Sequence, residues 1–191
     1  MKKSLLAFAA LSALTVGAAQ ATSGTYAIEP THTFVMFEIS HFGTSTNRGR
    51  FDKKEGTVQF DRVAKTGKVD ITIDVASINT GTPQFNTHLK SEELLNAAKF
   101  PTARFVGDKF VFVGDKVSEV SGQFTLLGKT LPLTLKAKNF NCYDSPMIKR
   151  EVCGGDFEAT LKRSLWDVKY GLDWGFPDDM RLVIQTEAVK Q

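Results

Sequence analysis

The chain has little of what most enzymes and metal proteins are built from: 191 residues contain two cysteines and three histidines. His32, His41 and His88 are too far apart in sequence to form a local metal motif, and a single cysteine pair lacks the second pair a zinc site would need. No G-x-S-x-G, H-E-x-x-H, P-loop or dinucleotide fingerprint occurs, which leaves the chemistries those motifs carry without support. An excess of one charge is missing as well, with 24 Lys and Arg against 21 Asp and Glu. The basic residues come as pairs, Lys53-Lys54, Lys149-Arg150 and Lys162-Arg163, and read as solvated surface. That distribution gives no electrostatic footprint for nucleic acid. Internal repeats, low-complexity linkers and a second domain are also absent from the pattern.

A long apolar run occurs only at the start, from Leu5 to Ala18. It is too short and wrongly flanked for a membrane anchor. Preceded by Met1-Lys2-Lys3 and followed by Ala19-Gln20-Ala21, it reads as a secretory signal peptide spanning 1–21. Its removal leaves 22–191 as one domain and takes Lys2 and Lys3 with it, so the formal charge falls from +3 to +1. In an exported chain the even cysteine count implies a disulfide, Cys142 to Cys153, closing a short loop through Pro146.

What the chain does have is phenylalanine, 15 in all against three Tyr and two Trp. It also has strand patterns. From Thr33 to His41, side chains alternate so that Val35, Phe37, Ile39 and His41 share one face, while Phe34 and Met36 lie on the other. Both faces are at least partly apolar, as expected of a strand with a core on one side and a cavity or covering element on the other. Val58-Gln59-Phe60 and Val69 to Val75 alternate too. Further strands are predicted at Lys109 to Val113, Glu119 to Leu126, Leu131 to Asn139, Gly155 to Lys162 and Met180 to Val189, with turns at Gly67, Gly107, Gly114, Gly128 and Gly171. One helix is predicted to start with Ser91 as N-cap and to end before Phe100-Pro101. Eight or more strands with one short helix predict an all-β chain closed into an antiparallel barrel, because closure removes sheet edges.

Ile28 to Phe51 resembles the opening of the YceI-like family, bacterial lipocalin-like barrels that hold long isoprenoid or fatty chains. The resemblance continues through Ser77 to Gly81, His88-Leu89-Lys90-Ser91, Leu94-Leu95-Asn96, Lys99-Phe100-Pro101, Leu127 to Leu135, Arg163-Ser164-Leu165-Trp166 and Tyr170-Gly171-Leu172. Phe85-Asn86 departs from it, standing where relatives often carry Arg-Asp. The resemblance implies a periplasmic protein that stores or carries an amphiphilic lipid, an isoprenoid quinone or polyprenyl phosphate, and is not an enzyme. It implies no cofactor and no metal beyond that bound isoprenoid or fatty lipid. Transient contact with the membrane or with membrane redox proteins is expected, as monomer or homodimer.

From composition alone, the phenylalanines favour a plain β core over the wall of a lipid tunnel; the resemblance reverses that preference. The expected ligand-binding residues are Phe34, Val35, Phe37, Ile39, His41, Phe42, Arg50, Phe51, His88 and Leu89. Of these, His41 with Arg50, and Arg48 beside it, could meet a head group at the mouth. Trp166, Tyr170 and Trp174 are expected to plug one end. Two other readings stay open: an enzyme acting on such a lipid with His41 or His88 as general base, and a stress-protective interaction protein whose barrel its own side chains fill.

Overall fold

The computed structural model describes residues 23–191. The leader read from the sequence lies outside them. Eleven strand segments and one helix follow in order: β1 (Gly24–Ile28), β2 (Phe34–His41), β3 (Ser45–Phe51), β4 (Lys54–Asp61), β5 (Thr66–Asp74), β6 (Ile78–Asn79), α1 (Pro83–Leu89), β7 (Thr102–Val113), β8 (Lys116–Leu126), β9 (Lys129–Asp144), β10 (Glu151–Lys162) and β11 (Asp179–Lys190). All pairings are antiparallel. The segments make eight staves, because β1 with β2, β3 with β4, and β5 with β6 are each one strand interrupted by a bend.

Closure runs through β11, which pairs with β10 along its whole length. On its other side β11 meets β1 near one end (Tyr26↔Lys190) and β2 toward the other (Leu182↔Phe37). Side-chain bonds hold the bend between β1 and β2. Thr33 exchanges hydrogen bonds with the Glu187 backbone, donating from Oγ1 to the carbonyl and accepting from the N–H.

Period two fails at three places, all of them bulges; one, at Ser118 on β8, lets both Val117 and Val120 face inward. The β7–β8 register shifts at Asp108, so the inward set Ala103, Phe105 and Gly107 changes parity to Phe110 and Phe112. An equivalent shift where β9 opposes Asp156/Phe157 turns Leu133 and Leu135, then Phe140, inward. An extra residue on one strand reverses the alternation beyond it. This explains why the pattern predicts a strand only from Lys109 and a turn at Gly107. Gly107 is in fact inside the strand opposite Gly122, where a Cβ on Gly122 would stand 2.1 Å from the Val106 carbonyl oxygen. Gly67 likewise lies within β5, against the Phe110 ring.

The helix is also displaced from its expected place. α1 covers Pro83–Leu89, with Pro at its first position, where the missing N–H costs nothing. Residues 91–99 form turns instead. Ser91 caps nothing, since its buried Oγ has no partner, and Asn96 sits at φ 40°, a left-handed conformation that a continuing helix excludes. Past Asp74↔Thr102 the β5–β7 ladder ends, and segment 80–101, carrying α1, lies over the inside of the wall there.

Outside, charges cross the staves. Arg48, Glu38, Arg181, Glu158 and Lys138 form a continuous ladder over five strands, with N–O separations of 2.5 to 2.9 Å. Cys142 and Cys153 are register partners on β9 and β10, bonded with Cα atoms 4.1 Å apart. They join two strands directly and leave the Pro146 hairpin beyond them. Replacing both with Ser is expected to lower unfolding free energy by up to about 3 kcal/mol without altering ligand content, as read by urea denaturation and lipid extraction. Loss of ligand out of proportion to destabilisation would contradict this.

Near the same end, the Tyr26 hydroxyl donates to Glu151, which also pairs with Arg62 and Lys190. Burial raises the Glu151 carboxyl pKa, but the Tyr26 hydrogen bond and the two cations outweigh it and hold it below the ordinary carboxylate value of 4.5. A carboxyl depressed in the folded state stabilises above its unfolded value, and that contribution fades as the pH falls through the folded one. Glu151→Gln should therefore flatten the acid limb of the stability–pH curve below pH 4.5, with stability measured by urea unfolding at each pH. An unchanged acid limb would refute the assignment.

Candidate functional site: an apolar cavity along the barrel axis

The inward faces of the staves do not meet. They enclose a cavity of about 470 Å³, within the roughly 300–1,000 Å³ of ligand pockets. A barrel filled by its own side chains is thereby excluded. Eleven of the fourteen phenylalanines after Phe8 line it, so the phenylalanine content makes a wall as well as a core. The rest of the lining is largely aliphatic, and no Asp or Glu contributes.

The two ends differ. At the deep end Phe60 packs against Tyr26, Phe110, Phe112 and Phe140, with centroids 5.5 to 6.5 Å apart, and Tyr26 is 1% exposed. At the other end lies a rim of half-exposed aromatics, with Phe42 52% and Trp174 67% exposed. His41, Phe42 and Phe176 make three mutual edge contacts at 5.1 to 5.8 Å, while His88 meets Tyr170, and Tyr170 meets Trp174, at 4.9 and 5.2 Å.

Most of the expected ligand-binding residues reach this cavity. Val35, Phe37, Ile39, His41, Phe42, Phe51, His88 and Leu89 all line it. Phe34 and Arg50 do not. Phe34 is on the outer face of β2, under the Arg50 guanidinium and Lys54 ammonium at 5.3 and 5.0 Å from its ring centre, and Arg50 pairs with Asp52 at 2.7 Å. Parity decides this: Phe51 and Asn47 point inward, so Arg48 and Arg50 point out. Gly49, the inward position between Asn47 and Phe51, lies beneath the Phe37 ring, 2.6 Å from where a Cβ would be. Trp166 is buried, 3% exposed, donates to the Phe124 carbonyl and does not line the cavity, whereas Tyr170 and Trp174 line the mouth. In place of the relatives' charged pair, Phe85 lines the cavity and Asn86 accepts from the N–H and hydroxyl of Thr80.

A family description of a YceI-like domain matches residues 26–188. Protein YceI of Salmonella arizonae is 37% identical over 194 residues, covering all of both chains. The chain belongs to the YceI-like family. Among solved YceI-like folds, the YceI protein of Campylobacter jejuni superposes with a TM-score of 0.67 at 24% identity, covering 80% of this chain and 90% of that one. A polyisoprenoid-binding domain from Saccharophagus degradans, implicated in plant cell wall breakdown, superposes at 0.60 and 15% identity, covering 87% and 98%. At such identities the likeness shows the barrel shared by the YceI-like fold.

One residue of this YceI-like mouth was beyond the reach of pattern reading. Arg163, which the sequence presents as half of a solvated Lys-Arg pair, is 3% exposed and lines the cavity. Its signal is its position as the first residue after a strand, where the chain turns in to cover the barrel end.

Phe42 is strained where it stands, at φ 53° in the tight turn closed by Thr44 N–H to His41 C=O. Bulky residues rarely hold this conformation, which costs on the order of 1–3 kcal/mol. Its edge contacts return roughly 0.5–1.5 kcal/mol each. Phe42→Asn should accordingly leave stability within about 1 kcal/mol, because relieved strain and lost contacts nearly cancel. Release of a bound fluorescent fatty probe, followed by stopped flow, should speed up. An unchanged release rate would mean that the ring does not gate the mouth.

Proposed function

We propose that this protein binds a long-chain isoprenoid lipid and carries or stores it after export to the periplasm. The observation that carries the reading is the phenylalanine-lined cavity, open at an aromatic rim and closed at the Tyr26 end. Burying an alkyl chain gains about 0.8 kcal/mol per CH2, so a wall without directional groups suffices for tight binding. The likeness to a domain described as polyisoprenoid-binding supports this choice of tail. Sequestration is the mechanism: the barrel replaces bilayer or water around the tail, and polar groups near the mouth hold the head. The exposed Phe42, Leu165 and Trp174 suit transient contact with a membrane surface, where apolar side chains tolerate the interface.

A binding role without catalysis fits the histidines. His41 and His88 contact aromatic rings, and neither makes a hydrogen bond or ion pair with a carboxylate among the described residues. A general base would ordinarily be oriented by such a partner.

Solvent extraction of the never-denatured protein, followed by mass spectrometry, is expected to recover a long-chain prenyl lipid at near one per chain. Ile39→Asp, inside the cavity, should lower that occupancy at least about tenfold, since a carboxylate opposes an apolar tail. Thr72→Asp, outside it, should not. Lipid-free native protein whose melting temperature does not respond to added prenyl lipid would end this reading.

A further inference from the structure

Among the described residues, Arg163 is the one lysine or arginine lining the cavity, and no acidic side chain accompanies it there. Its guanidinium is held on three sides by backbone. Nε donates to the Pro177 carbonyl at 2.8 Å, and Nη1 donates to those of Val168 and Tyr170 at 2.9 and 2.8 Å. Nη2 is buried and has no partner. The Phe176 ring covers the group at 5.3 Å. Asp178, the carboxylate that acts on it through space, is engaged by the backbone N–H and hydroxyl of Ser164 and forms no ion pair with it.

An arginine stays protonated in a protein. Here it places a fixed charge on a side chain that lines an apolar cavity, with one buried nitrogen, Nη2, left without a partner. Burying an unpaired cation and leaving donors unsatisfied are both costly. The three carbonyls, the Phe176 ring and the Asp178 carboxylate offset part of the first cost, but no group among the described residues pairs with Nη2, and a ligand oxygen there would. The same crossover supplies Tyr170, Trp174 and Phe176 to the rim, which would shield such a contact from water and strengthen it.

Resting on the carrier reading above, we infer that Arg163 Nη2 is the head-group site and that the lipid carried has an anionic oxygen head, a phosphate or carboxylate, seated below the rim and not displayed at its surface. The tail then runs from Arg163 toward the Phe60 cluster. Neutral alcohols with the same tail lack the charge that the site leaves uncompensated. Free phosphate lacks the tail that gains burial.

The test uses the full exported chain, stripped of lipid, with three probes: geranylgeranyl phosphate, geranylgeraniol and inorganic phosphate. The phosphate lipid should bind at least about tenfold more tightly than the alcohol, as for one hydrogen bond to a charged group, and inorganic phosphate should neither bind nor compete. Arg163→Gln should erase the preference while keeping affinity for the alcohol. Because that variant also loses the carbonyl contacts that tie the crossover together, the wild type carries a second readout. The 31P resonance of bound geranylgeranyl phosphate should resist broadening by a neutral gadolinium chelate in the water. Equal affinity for alcohol and phosphate, or a bound phosphate broadened like the free lipid, would overturn the Arg163 site while leaving the carrier reading intact. If neither lipid binds, both readings fall together.

Discussion

The inward positions of the strands in this protein are set by the alternation of a closed sheet. In a barrel with no edge, each stave must send every second side chain to the axis, and a shift of one residue exchanges the apolar set for the charged one. The two faces of β2 and β3 show how much rests on this. Val35, Phe37, Ile39, Asn47 and Phe51 line the cavity, while Glu38 and Arg48 join a charge ladder that crosses five strands on the outside. Bulges on β7, β8 and β9 reset that parity, and those on β7 and β9 bring phenylalanines to the deep end.

Three of the eight staves are bent, and the bends all fall in the first half of the chain. They let β11 pair with two segments in succession. They also end the β5–β7 ladder early, leaving a stretch of wall to α1 and the turns that follow it. That half therefore supplies adaptable cover, with Phe85, His88, Leu89, Leu94 and Leu95 reaching the cavity from outside the sheet. The continuous staves β7 to β11 supply the rigid back wall, and the disulfide joins two of them at the end away from the mouth. The chain thus separates a stiff lining from a rim built of turns, the division expected of a barrel that must admit and release its contents.

The crossover from Arg163 to Asp178 concentrates the polar exceptions. It carries a buried guanidinium, a left-handed Asp167 at φ 64° and glycines at φ 78° and 82°. The Arg163 side chain ties this loop together through three carbonyls, so the residue that offers a free donor to the cavity also organises the cover over it. One group thereby links the shape of the mouth to the chemistry it can accept.

Read alone, the sequence determined the strand-rich closed architecture, the inward face of β2, the cysteine pair and the family, because each is written in local alternation, in residue order or in a count. It also placed eight of the ten expected site residues on the cavity wall. Phe34 and Arg50 were expected at the ligand although simple alternation with Val35 and Phe51 turns both outward, and Gly107 was assigned to a turn because local alternation does not extend through the bulge beside it. The helix was misplaced because a cap signal at Ser91 competes with a proline start at Pro83 and the left-handed Asn96, a contest settled by how the segment packs over the wall. Whether the phenylalanines fill the barrel or line it, and that a lysine-arginine pair hides its arginine at the cavity edge, were decided only by the tertiary structure. Burial depends on which distant strands meet, and no property of residues 162 and 163 by themselves records it.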